Sequence, residues 1–68
     1  MDFEAFTINQ FCAAENISRS LYYKLKAAGK GPREMHLGAA VRISKEARAD
    51  WRREREAEAS AADEKRAA

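Results

Sequence analysis

Apolar residues recur at helical spacing through the first 28 positions and then at every second position from residue 35 to 43. Ile8, Phe11, Cys12 and Ile17 supply the apolar stripe of a first helix over roughly residues 8–15, with Thr7 as its N-cap. Ile17, Leu21, Tyr22, Leu25 and Ala28 keep that spacing in a second helix from Arg19 to about Ala28, leaving Arg19, Ser20, Tyr23, Lys26 and Lys30 mostly outward. The junction between them is short. Asn16 tolerates the left-handed backbone at which a helix stops, and Ser18 can accept a hydrogen bond from the first free amides of the next one. Gly29 ends the second helix, and Gly31-Pro32 prevents its continuation.

Met35, Leu37, Val41 and Ile43 then alternate with Glu34, His36, Arg42 and Ser44 around Gly38-Ala39-Ala40, which reads as a short β-hairpin. Ser44 followed by Glu46 and Ala47 marks another capped helix start. Ala47 and Trp51, four residues apart, share one face that can lie on the body of the domain. No large apolar residue follows Trp51. Arg52–Glu56 and Arg55–Glu58 can pair along a solvated helix, each pair contributing about 0.2–0.5 kcal/mol. The Ala-rich stretch from Ser60 is expected to fray. The fold expected is mainly α with a small β-hairpin: a winged helix-turn-helix over residues 1–58, made of two helices, a two-stranded wing and a closing helix. A charged, Ala-rich tail follows over 59–68.

A chain of 68 residues makes one small domain, near the lower size limit for a self-sufficient core. A single cysteine excludes an internal disulfide framework, and no Cys/His array suits structural zinc. No apolar run is long enough to span a membrane, and the Met-Asp-Phe-Glu start lacks the basic and apolar blocks of a signal peptide. Cytoplasm is the expected compartment. The formal net charge of +2 hides a strong segregation: residues 1–16 carry −3, residues 17–44 carry +5 with Glu34 as their one acid, and residues 45–68 are neutral. Positive charge gathered in the middle third is the footprint of a polyanion site.

The candidate contacts follow from that segregation. Arg19, Ser20, Tyr23, Lys24 and Lys26 form a basic and aromatic helix face suited to the DNA major groove; the alternative is an ordinary solvated face, with Tyr23 as a lid on the core. Arg33 and Arg42 are candidate phosphate contacts, or else structural partners of Glu34. His36 reads as a surface strand residue, Cys12 as a small buried apolar residue and Trp51 as core. One histidine, a buried cysteine and no nucleophile–base pair leave no catalytic constellation, so no enzyme, metal or cofactor is expected.

The chain resembles the excisionase/AlpA-type small winged helix-turn-helix proteins of the MerR-like group. The resemblance rests on Phe6-Thr7-Ile8 and Phe11-Cys12, on Ile17-Ser18-Arg19-Ser20 with Tyr23, Leu25 and Gly29, on Gly31-Pro32-Arg33, Leu37-Gly38 and Val41-Arg42-Ile43-Ser44, and on Ala47 with Trp51. It covers about residues 6–55. It implies binding to specific duplex DNA, as a transcriptional regulator or as a recombination directionality factor that directs an integrase, in a bacterial or phage-encoded protein acting at the nucleoid. It places Ser18, Arg19, Ser20 and Tyr23 at the DNA, and implies cooperative self-association along it. Two positions depart from the family pattern. Ala39-Ala40 stands at a wing tip that is often basic, and Tyr22 stands where a smaller aliphatic residue is common, so it could serve the core or face DNA. The rival expectation is a protein-interaction module that uses the same fold and its charged third helix.

Overall fold

The computed structural model describes residues 4–67, with side chains described through residue 61; Asp2 and the end of the tail lie outside them. In chain order the elements are β1 (Ala5–Phe6), α1 (Ile8–Glu15), α2 (Arg19–Ala27), β2 (Met35–Leu37), β3 (Ala40–Ser44) and α3 (Lys45–Ala67). Three helices therefore accompany a three-stranded antiparallel sheet of order β1-β3-β2. No helix among the described residues is long and apolar enough to cross a membrane.

Local chemistry sets the helix ends. Thr7 accepts from the Gln10 amide at 3.0 Å while the Gln10 side chain accepts from the Thr7 amide at 2.9 Å, a reciprocal capping box. Asn16 turns left-handed at φ 56° and ψ 46°, and the Ile17 amide reaches back to the Cys12 carbonyl at 2.9 Å. Ser18 immediately caps α2 by accepting from the Leu21 amide at 3.0 Å. Gly29, at φ 75°, lets the Lys30 amide close onto the Leu25 carbonyl at 2.8 Å. Ser44 caps α3 through the Ala47 amide, also at 3.0 Å.

The core is Phe6, Phe11, Cys12, Tyr22, Ile43, Ala47 and Trp51, with Ile8, Ile17 and Leu25 packed against it. Phe11 is its centre: its ring meets Tyr22 edge-on at 5.7 Å and Trp51 edge-on at 5.1 Å. All three helices are thereby joined through one aromatic cluster. Trp51 also donates its indole N–H to the Lys30 carbonyl at 2.8 Å, so α3 holds the loop that follows α2.

Several expectations from the sequence require correction. The expected β2–β3 hairpin is present, but the sheet is not two-stranded, because β1 adds to the far side of β3 through Ala5↔Ser44 and Phe6↔Ile43. Met35 and Leu37 do not share a face with Val41 and Ile43. A three-residue turn over 38–40 would have aligned them, but the turn has two residues, and Leu37 pairs with Ala40 and Met35 with Arg42. Gly38, at φ 65°, has the sign that a type II′ turn needs at its first central residue. Removing one residue from the turn reverses the face of a whole strand. Ile43 consequently enters the core, whereas Met35 and Leu37 are exposed. Leu21, expected inside α2, is exposed as well, and Tyr22 takes the interior instead. α2 stops at Ala27, and α3 continues to Ala67, past the expected fraying point at Ser60. Arg55 pairs with Glu58 at 3.3 Å as expected, but Arg52 approaches Glu15 at 3.8 Å rather than Glu56.

Candidate nucleic-acid interface

α2 divides into two faces. Its inward side chain is Tyr22, 1% exposed, while Leu25 packs at the core margin. Outward stand Arg19, Ser20, Tyr23 and Lys24, all exposed, with Ser18 at the N-terminal edge. Tyr23 is not a lid: it is 43% exposed, with its ring edge-on to Tyr22 at 5.3 Å. Arg19 lies along it, donating from Nη2 to the Tyr23 hydroxyl at 2.9 Å with its guanidinium 5.7 Å from the ring centre. A guanidinium has five N–H donors, so this contact orients Arg19 and leaves most of its fork open. The Ser18 hydroxyl oxygen is engaged in its cap, which makes Ser18 first of all a structural residue.

The other candidate cations are placed differently. Lys26 turns toward the strand side and pairs with Glu34 at 3.0 Å. Arg33 pairs with Asp50 of α3 at 2.8 Å rather than with Glu34. Arg42 donates to the carbonyl of Val41 at 2.9 Å and stands on the sheet face opposite Ile43, beside Met35. The structure thus groups Ser18, Arg19, Ser20, Tyr23 and Lys24, and separates Lys26, Arg33 and Arg42 from them.

The sequence marked Glu34 as the lone acid of a basic segment and as the alternative partner of Arg33 or Arg42. In the fold its side chain is 8% exposed and accepts from the Tyr22 hydroxyl, with Lys26 on its other oxygen and His36 Nε2 at 3.7 Å. Burial alone would push its carboxyl up, yet hydrogen bonds from Tyr22 and Lys26 and the charges of Lys26 and His36 outweigh that and hold it below its ordinary value. Tyr22 is shifted the opposite way: burial, and then donation to Glu34, raise its phenol well above the usual range. Burial likewise pushes the Cys12 thiol up, against a smaller lowering by Arg19, which favours the neutral thiol.

Trp51 was legible as core, but its bond to Lys30 was not. Arg48 was also missed. It donates to Glu15 at 3.0 Å and lies 5.1 Å over the Phe6 ring, joining α3 to the end of α1 and to β1. No sequence signal marks such pairs, because their members are 21 or more positions apart.

Among the described residues, Arg19, Lys24 and Arg42 are the cations with no carboxylate partner. Two of these three project from the outward face of α2. No family model, curated protein or solved structure matches this chain.

Proposed function

We propose that this chain is a winged helix-turn-helix protein that binds specific double-stranded DNA through the outward face of α2. Its role is that of a small transcriptional regulator or of an excisionase-like recombination directionality factor working with an integrase. The observation that carries this reading is the acid-free outward face, where Arg19 and Lys24 stand unpaired beside Ser20 and Tyr23 on a helix anchored from behind by Tyr22. A capped helix that begins sharply and is fixed by one buried aromatic is a rigid reading head. Arg19 supplies the fork that suits guanine, Ser20 and Tyr23 supply hydroxyls, and Lys24 supplies phosphate attraction. Arg42 is a second phosphate contact at the wing, whereas Lys26 and Arg33 are engaged within the protein. The activity is binding and not catalysis.

A single module of this size covers about 600–1,000 Å² of protein surface on DNA, which favours several copies on adjacent half-sites. No apolar seam follows Trp51 to support a coiled-coil dimer in free solution. Sedimentation is expected to show a monomer or weak dimer alone and cooperative loading on multi-site DNA. A tight dimer at low micromolar concentration without DNA would contradict this.

The exposed Met35 and Leu37 support a second reading, a protein-interaction module. Selection from a random duplex library, followed by titration at about 50 and 200 mM salt, separates the two. A DNA reader enriches a defined site and loses affinity steeply with salt, whereas a protein-only adaptor does neither.

A further inference from the structure

We infer that Glu34 withholds Lys26 from the DNA-facing charge, so that a buried carboxylate restrains the sequence-independent part of binding; this rests on the DNA reading above. Glu34 is the one acid between residues 17 and 44. Both its oxygens are in use: Oε2 accepts from Tyr22, while Oε1 faces Lys26 at 3.0 Å and His36 at 3.7 Å. The Lys26 side chain is half exposed, so its ammonium has room to swing toward a phosphate.

Electrostatics opposes that swing. Moving Lys26 to a phosphate exchanges a pair shielded on one side by protein for one in salt water, where screening is strongest. It also leaves a nearly buried carboxylate with a phenol and a histidine as its remaining partners, and a buried charge stripped of its cation is strongly unfavourable. Lys26 therefore releases no DNA counterion, although it lies only two positions from Lys24 on the same helix. Glu34 also binds Tyr22, whose ring sets the rotation of α2 on the core. One carboxylate thus fixes the helix and sets how many of its cations meet DNA.

The test compares the unsubstituted chain with Lys24→Met, Lys26→Met, Glu34→Gln and the Lys26→Met/Glu34→Gln double variant. Each is titrated with a random-sequence DNA duplex between 50 and 200 mM salt, and the slope of log affinity against log salt is read. Glu34→Gln keeps an acceptor for Tyr22 but frees the ammonium. Its slope should steepen by about one unit, about a fourfold larger loss of affinity over that salt range. The double variant should return to the original slope. Lys26→Met should leave the slope unchanged, and Lys24→Met should lower it by about one unit. Should Lys26→Met fail to fold, the single and double Glu34→Gln variants decide alone. A Lys26→Met slope lowered as much as that of Lys24→Met, or an unchanged slope in Glu34→Gln, overturns the inference and spares the DNA reading. Absence of salt-dependent binding by the unsubstituted chain overturns both.

Discussion

α2 and α3 are both rich in cations, yet they use them in opposite ways. Among the described residues of α3 each basic side chain meets an acid: Lys45 pairs with Glu4 at 3.2 Å, Arg48 with Glu15 at 3.0 Å, Arg52 with Glu15 at 3.8 Å, Arg53 with Asp50, and Arg55 with Glu58 at 3.3 Å. α3 also draws in cations from the loop after α2, taking Lys30 onto Glu58 at 2.8 Å and Arg33 onto Asp50 at 2.8 Å. On α2, Arg19 and Lys24 face solvent without such partners. A neutralised cation attracts a polyanion weakly, so the unpaired charge, and not the total, is what distinguishes the outward face of α2 from α3. Exposed pairs of this kind contribute little stability each, about 0–1 kcal/mol, and α3 braces the domain mainly through Trp51 and Ala47 in the core.

The sharpest way to break this contrast is Trp51→Ala. It removes the ring packed on Phe11 and the bond to the Lys30 carbonyl, so a loss of about 3–5 kcal/mol is expected in chemical denaturation. In a domain this small that is most of the stability. A cost below 1 kcal/mol would show that α3 is not the brace.

Arg19→Ala addresses the other region. The fold should stay cooperative while discrimination for the selected site falls by about 1–3 kcal/mol in a competition assay. Arg53→Ala, on the far helix, should leave discrimination where it was. Equal effects of the two would erase the distinction between the helices.

The junction beneath α2 has its own pH signature. Glu34 titrates below 4.5 in the folded chain, so its contribution is complete above about that pH and is lost as pH falls through the lower folded value. Acid unfolding followed by circular dichroism should therefore show a steeper limb below pH 4.5 in the unsubstituted chain than in Glu34→Gln. Identical limbs would mean that the carboxylate does not hold α2.

The smallest effect expected is at the β2–β3 hairpin. Arg42→Ala should lower the salt slope by about one unit for all sequences alike, without altering site preference. A changed preference with an unchanged slope would move Arg42 from phosphate to base contact.

The starts of all three helices, and the ends of the first two to within a residue, could be read from the chain because their causes are local. Thr7 with Gln10, Asn16, Ser18, Gly29 and Ser44 act within a few residues of themselves, and each cap lies where its residue type predicted. The outward placement of Arg19, Ser20 and Tyr23 followed from the same local periodicity, whereas that of Lys24 did not. Tertiary structure decided what depends on distant partners. A two-residue turn set which strand face Met35 and Leu37 occupy, β1 joined the sheet across almost forty positions, and Tyr22 displaced Leu21 from the interior because its ring reaches Phe11 and its hydroxyl reaches Glu34. Likewise Lys26 looked in the sequence like Lys24, a free cation on a basic segment, and Arg33 was weighed between a phosphate and Glu34. Their acids, Glu34 and Asp50, come within 3.0 Å only when the chain folds, and charge pairing depends on separation in space rather than along the sequence.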